Sequence, residues 1–264
     1  MNNSIVSYEF LDRIAANNWP AASSTSIEHW LLRASSGVTK RANSVLAIGQ
    51  YPQTDNWLPR VEQFYHSQGL PAIFHVSSAS PESLDELLGA HGYEIDTPCL
   101  FMTADSQSVA QHANARLGSQ DSLTVEISQT VTKEWLDFFL ALENYPEERR
   151  SFYQGLSDRM PTPKGFITLK YNETIVALGT AIVEGEWAGF VNVIVHEEYR
   201  GKGYGYAIIQ ALTAWSISQG ATQQYLQVIA TNVPAVSLYE KLGYQTQYGY
   251  HYRLKYDLPS LVSS

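Results

Sequence analysis

The sequence predicts an α/β protein with a mixed sheet, built from two tandem units of similar size. Three observations carry this expectation. In the second half, β-rich runs alternate with helical stretches in the order β-α-α-β-β-β-α-β-α-β. One of those runs, Val191–Val195, feeds a turn with three alternating glycines, Gly201, Gly203 and Gly205, and then a helix. The first half echoes the second. Ser67-Gln68-Gly69 and Gly92-Tyr93 recur 151 residues later as Ser218-Gln219-Gly220 and Gly243-Tyr244.

In the first unit, Trp30-Leu-Leu-Arg-Ala-Ser-Ser-Gly and Lys40-Arg-Ala-Asn-Ser-Val are polar, basic stretches between strand-like runs. Arg33, Lys40, Arg41 and Asn43 are candidates to line a substrate cleft, or else they belong to a hairpin with a solvated turn. Val45–Ile48 reads as a strand, a helix starts at Trp57, Ala72–Val76 reads as a second strand, and Pro81–Tyr93 holds a second helix. Residues 104–122 are polar and poor in bulky apolar side chains. The expected boundaries are therefore 1–105, a linker at 106–122 with one short helix at Val109–Leu117, and a second unit at 123–258.

That second unit reads more fluently. Leu123–Ile127 alternates as a strand, and Lys133–Glu143 puts Trp135, Phe138, Phe139 and Leu142 on one helical face. Glu147–Leu156 is a second short helix. Phe166–Tyr171, Thr174–Val183 and Trp187–Val195 are strands joined by turns at Asn172-Glu173 and Glu184-Gly185-Glu186. After the glycine turn, a helix runs to Gly220, and Gln223–Ile229 is a strand. Asn232 then caps a helix with Pro234 in its first turn and Gly243 at its end. Tyr248–Tyr256 closes the order as a strand.

Bulk properties narrow the function. The 264 residues suffice for two domains of about 130. No window approaches the ~18 apolar residues of a membrane span, and Met1–Val6 lacks the basic and apolar regions of a signal peptide. A lone cysteine, Cys99, precludes an intrachain disulfide and a thiolate metal cluster, and it fits a small buried strand residue. A cytoplasmic protein without a metal is expected. The net charge of −9 and pI near 5.2 argue against nucleic-acid binding, which needs a basic face, and suit a cationic partner such as an amine.

The glycine turn carries the chemistry. Glycines let the backbone approach a ligand, and the first N–H groups of the helix point at it. The helix dipole, Arg200 and Lys202 all favour negative charge there. This combination suits a pyrophosphate. The dinucleotide pattern G-x-G-x-x-G fails at Tyr206, and no G-x-x-x-x-G-K-[ST] string occurs. What stands is R-x-x-G-x-G, at Arg200, Gly203 and Gly205. Downstream, Asn232-Val-Pro-Ala-Val-Ser-Leu-Tyr-Glu-Lys-Leu-Gly-Tyr244 forms a second block. The two blocks, in this order, resemble the acetyl-CoA loop and the second signature block of the GNAT N-acetyltransferase superfamily. The resemblance covers roughly 120–258. The first unit looks like a degenerate copy: at the turn it reads Gly49-Gln-Tyr-Pro-Gln-Thr-Asp-Asn56, without further glycines, Arg or Lys, and Leu88 stands in the place of Tyr239.

The resemblance implies two tandem GNAT-like acyl-CoA N-acyltransferase domains, with acetyl-CoA as co-substrate and the second unit catalytic. In the superfamily the strand before the turn is splayed at a bulge, which implies that Val193 and Val195 meet the pantetheine arm and thioester. Arg200, Gly201, Lys202, Gly203, Tyr204 and Gly205 would hold the pyrophosphate, and Asn232 would reach the pantetheine arm, besides capping its helix. Tyr239 would be the general acid, since a phenol near pKa 10 stays protonated at neutral pH. It also fits a packed aromatic. For the base, Glu184, Glu186 and Glu143 are candidates, although each taken singly reads more readily as a solvated surface charge, and many members use a water chain instead. Asn192 lies on the cofactor strand but cannot take a proton. Tyr145, Glu147 and Tyr153 are plausible acceptor contacts.

The reading is an N-acetyltransferase that moves an acetyl group from acetyl-CoA to a primary amine of a small molecule or peptide in a ternary complex. No nucleic acid or membrane partner is expected, and a monomer or homodimer is. A competing reading is a non-catalytic acyl-CoA sensor, which would tolerate loss of Tyr239. A longer acyl donor is also open, because the loop reads CoA and not the acyl chain.

Overall fold

The computed structural model describes residues 6–117 and 123–255. In chain order the elements of the first half are α1 (Tyr8–Asn17), β1 (Ser23–Ile27), β2 (Trp30–Ala34), β3 (Val45–Leu46), α2 (Trp57–His66), β4 (Ile73–Val76), α3 (Leu84–Ala90), β5 (Glu94–Asp105) and α4 (Ser106–Asn114). There follow β6 (Leu123–Ser128), α5 (Lys133–Leu142), α6 (Arg150–Arg159), β7 (Lys164–Tyr171), β8 (Thr174–Glu184), β9 (Trp187–Val195), α7 (Tyr204–Ser218), β10 (Gln223–Ile229), α8 (Val233–Lys241) and β11 (Gln245–Leu254). Helix starts follow side-chain chemistry. Ser7, Asp105, Thr132 and Asn232 each accept the backbone N–H three residues on.

The chain divides into two compact units, but their boundaries differ from those expected. One unit is formed by the residues up to Pro98 together with those from Gly249 on, the other by Cys99–Tyr248. Within β5, residues 99–105 pair antiparallel with β10, and within β11, residues 251–254 pair antiparallel with β4. Each unit thus takes its closing strand from the far half of the sequence. Alternation of side chains, with Tyr248, Tyr250, Tyr252 and Leu254 buried, marks β11 as a strand. It says nothing about which partner completes the ladder.

The expected linker is likewise only partly one. Its first half is α4, whose Val109 and Ala113 are fully buried in the core of the second unit, against α7. Two small side chains and one valine were too few to reveal that face. Residues 118–122 and the expected end at 258 lie outside the described residues, as does Tyr256.

In the first unit the strands lie in the order β1-β2-β3-β4-β11, with β3 and β4 parallel and the other pairs antiparallel. Its core is aromatic. Trp30 meets Trp57 edge to face at 5.0 Å, and Phe74 packs on Tyr93 at 5.4 Å.

The second unit orders its strands β5-β10-β9-β8-β7-β6, with only β9 and β10 parallel. α7 packs on β7, β8 and β9, burying Ile208, Ile209 and Leu212. It can approach closely because Gly179 presents no side chain: a Cβ there would stand 2.8 Å from Leu212 Cδ1. α5 packs on α6 and β8, with Trp135 edge-on to Phe166 at 5.3 Å. Among the described residues no helix is long and apolar enough to cross a membrane.

Candidate active site

Two strands part at the centre of the second unit. β9 and β10 pair from Trp187↔Gln223 to Phe190↔Leu226, and beyond that β10 continues through Gln227, Val228 and Ile229 without a β9 partner. On its other side β9 stays paired with β8, but through a bulge. The register passes from Leu178↔Ile194 to Thr180↔Val191, so Asn192 and Val193 share Gly179. Asn192 adopts a left-handed φ of 55°. Ala188–Phe190 are buried, whereas Val191–Val195 are only half-buried. Val193 and Val195, singled out in the sequence, lie on this opened stretch.

After β9 comes one 3₁₀ turn, Glu197–Tyr199, and then the glycine loop. Gly201 and Gly203 have φ of 74° and 90°. A Cβ on either would meet nothing within 4 Å, so backbone conformation, not packing, requires glycine there. Gly203 occupies the N-cap of the fifteen-residue α7 and offers no side chain to cap it; its carbonyl accepts from Tyr206 N at 3.0 Å and Ala207 N at 3.2 Å. Gly205 has a different reason. A Cβ on it would stand 2.9 Å from Leu238 Cδ2, so it seats α8 on the start of α7. Lys202 Nζ rests 5.1 Å above the Tyr199 ring. Tyr204 packs on Tyr199 at 5.8 Å and on Tyr171 at 6.0 Å. Arg200 Nε donates to the Val195 carbonyl at 3.2 Å, which engages one of the backbone groups expected to face the donor.

α8 brings the remaining candidates. Asn232 Oδ1 accepts from Ala235 N at 3.3 Å, the expected cap. Tyr239 lies one residue beyond Leu238. It is buried, its ring is 5.7 Å from Tyr244, and burial pushes its phenol up to about 12.

Glu184 is not brought to this place. It pairs with Trp187 at the hairpin end of β9, and the loop lies past Val195 at the other end. At ~3.3 Å per residue that strand separates them by roughly 25 Å. Closeness along the sequence made Glu184 and Glu186 look adjacent to the site, and an extended strand undoes it. Glu143 is better placed. It is half-buried at the C-cap of α5, burial raises its carboxyl above the usual range, and Arg200 pulls the other way. Beside it in the chain, Tyr145 stacks on Tyr153 at 5.6 Å and 7°, and Arg149 sits 4.5 Å over Tyr145. Burial, with Tyr145 adding to it, raises the Tyr153 phenol. Glu147 instead pairs with Arg150.

The basic residues of the first unit are structural fasteners. Arg33 is buried, its Nε and Nη2 donating to the Ser44 carbonyl and Oγ at 3.1 and 2.9 Å. Asn43 Oδ1 accepts from Ser35 N and Gly37 N. Lys40 pairs with Asp96 at 2.6 Å, and Arg41 lies 4.7 Å over Trp19. The loop at 49–56 is occupied by its own neighbours. His29 Nε2 and Trp30 Nε1 both bond the Gln50 carbonyl, and Tyr51 Oη bonds Ser83 Oγ. Among the described residues, the groove beside it is lined by Glu9, Glu82 and Glu86 and by no Lys or Arg.

Comparison with known proteins bears on the family and the fold. Residues 9–253 match the family model described as "Probable histone acetyltransferase Rv0428c C-terminal". The chain is 41% identical over 245 residues to an uncharacterized N-acetyltransferase, YobR, of Bacillus subtilis, covering 93% of this chain and 97% of that protein. It is 31% identical over 140 residues to an N-alpha-acetyltransferase of Sulfurisphaera tokodaii, 50% of this chain and 78% of the relative. Among solved structures, a GCN5-related N-acetyltransferase from Kribbella flavida matches with a TM-score of 0.69 at 14% identity, over 94% of this chain and 96% of that one. A tandem GNAT protein from the clavulanic acid biosynthesis pathway matches with 0.64 at 8% identity, over 93% and 87%. These two likenesses concern the fold. The family match and the YobR relationship both run nearly the whole length of the chain, which therefore belongs to the GNAT superfamily of N-acetyltransferases.

Proposed function

We propose that the second unit transfers an acetyl group from acetyl-CoA to a primary amine of a small molecule or peptide, by direct attack with both bound. The observation that carries this reading is the parting of β9 from β10 beyond Phe190 and Leu226, which opens onto the N-terminus of α7 behind two left-handed glycines. Acetyl-CoA would supply an acyl group already activated as a thioester. Backbone N–H groups from Gly201 to Gly205, with the charges of Arg200 and Lys202, suit its pyrophosphate. The half-buried backbone at Val193 and Val195 suits the extended pantetheine arm, with Arg200 releasing the Val195 carbonyl as the arm arrives. Asn232 lies at the start of α8, where it both caps the helix and borders the opened β10.

In the transfer, the amine nitrogen bonds to the thioester carbon, the C–S bond breaks, and the sulfur leaves with a proton. Tyr239 holds its proton throughout the physiological range, since burial raises it to about 12. A thiol near 8.5 is the stronger acid. Tyr239 thus serves as a hydrogen-bond donor to the departing sulfur, and the surplus proton of the attacking amine completes the exchange. Glu143, raised by burial, is the carboxylate suited to receive that proton first. The chain's net charge of −9 suits a cationic acceptor.

Thiol release from acetyl-CoA, measured against a panel of primary amines, tests this. Tyr239→Phe should bind acetyl-CoA normally and transfer roughly 100-fold more slowly. Tight binding of acetyl-CoA with no transfer to any amine would instead favour the sensor reading.

A further inference from the structure

Among the described residues, the non-glycine positions with left-handed backbone are Glu28, Ser36, Thr97, Asn144, Asn172, Glu173 and Asn192. Most lie in turns or just beyond an element. Thr97 and Asn192 lie inside strands, and Asn192 stands where β9 leaves β10.

We infer that Asn192 is the positioning residue that holds β9 away from β10, with Thr180 as its latch. The inference rests on the proposed donor site. An L-residue pays for a left-handed φ through contact of its Cβ with the following carbonyl, and asparagine pays least after glycine. Asn192 Nδ2 donates to Thr180 Oγ1 at 3.4 Å, and Thr180 is fully buried on β8. Thr180 also pairs in register with Val191, the residue immediately before Asn192. The side chain therefore ties the bulge to the one neighbour of β9 that remains continuous.

Across the bulge the facing residue is Gly179, whose missing side chain is filled by Leu212 of α7. That fit locks the strand opposite the bulge. With two β9 residues set against one, the residues after Asn192 change direction relative to those before it. This is the point at which the β10 ladder ends. A residue in this place that prefers extended backbone would straighten β9 and return Val193 toward pairing with β10. The donor strand would then be closed. Asn192 itself needs no contact with any substrate for this.

Three variants separate the backbone requirement from the latch. Asn192→Val opposes the left-handed conformation, Asn192→Gly permits it without the amide, and Thr180→Val removes the hydroxyl at nearly constant volume. Acetyl-CoA binding by calorimetry and amide hydrogen exchange of Val193–Val195 are both measured. Asn192→Val should weaken binding about tenfold, the factor equivalent to a left-handed penalty of about 1.4 kcal/mol, and slow exchange at 193–195. Asn192→Gly should recover most of the binding, and Thr180→Val should fall between.

Wild-type binding and exchange in Asn192→Val would overturn the inference and leave the proposed function standing. If the wild-type protein binds no acetyl-CoA, the functional reading fails, and exchange at 193–195 still decides whether Asn192 sets the bulge. If Asn192→Val does not fold, the Thr180→Val and Asn192→Gly pair carries the test. Wild-type exchange and binding in Thr180→Val would then remove the latch.

Discussion

Gly49 donates its backbone N–H to the carbonyl of Ala79 at 2.8 Å, so in the first unit the chains that continue from β3 and β4 are tied together beyond their ladder. In the second unit the corresponding parallel pair, β9 and β10, comes apart at the same stage. Acetyl-CoA should therefore bind at one site per chain. Calorimetric titration would show a stoichiometry near one, and Gly203→Asp, which puts a carboxylate and a Cβ at φ 90°, should abolish it. A stoichiometry of two would overturn the reading of residues 49–56.

Glu143 offers a pH test. Burial raises its carboxyl and Arg200 opposes the rise. A base is active when deprotonated, so the rate should fall as pH drops through its pKa. Removing the positive charge in Arg200→Gln lets that pKa climb. The acid limb of kcat, measured at saturating acetyl-CoA, should then move to higher pH. Glu143→Gln should lose the limb and about two orders of magnitude in rate. An unmoved limb in both variants would point to a water chain.

The contact between α7 and α8 can be read by a double-mutant cycle. Gly205→Ala places a methyl 2.9 Å from Leu238 Cδ2, so α8 must shift or Leu238 must turn. The alanine gains about 1 kcal/mol of helix propensity, which offsets part of the clash. Stability should change by about 1 kcal/mol or less, while transfer falls, because the neighbour of Leu238 is Tyr239. Adding Leu238→Ala should relieve the effect on transfer, with a coupling of at least about 0.5 kcal/mol in urea melts.

Asp85 binds Arg253 Nε at 2.8 Å and His251 Nε2 at 2.7 Å, fastening β11 to α3. Arg253 and then His251 hold its carboxyl below the usual range. A depressed carboxylate stabilises above its unfolded pKa of about 3.9, and the contribution is lost as pH falls through the lower folded value. Because Asp85 is partly exposed, Asp85→Asn should cost only about 0.5–1 kcal/mol at pH 7. In urea melts the two proteins should converge in strong acid.

Legibility in the sequence followed locality. The glycine loop, the Asn232 cap and every strand from β6 to β10 rest on residues within one turn or one period, and patterns of that length can be read directly. Glu143 was visible, but its burial beside Arg200 depends on how α5 lies against β8. Asn192 stood in plain view as a polar residue in an apolar strand, and its left-handed backbone left no mark in the composition. Arg33 was readable as a cleft residue or as part of a solvated turn and is neither, because a buried guanidinium is recognisable only with its partner, Ser44, in place. The exchange of β5 and β11 was hidden for the same reason as any pairing: a strand's alternation does not name its neighbour.

That exchange sets a timetable. Asp85 and His251, joined across the seam of β4 and β11, lie 166 residues apart. During synthesis, β4 keeps one edge bare until residues 249–254 have been made, long after the rest of its unit is complete. An open β-edge is where foreign strands add. The vulnerable stage of this protein is thus the interval between synthesis of Ile73–Val76 and that of its late partner strand, and shielding Ile73–Val76 during that wait should limit misassembly.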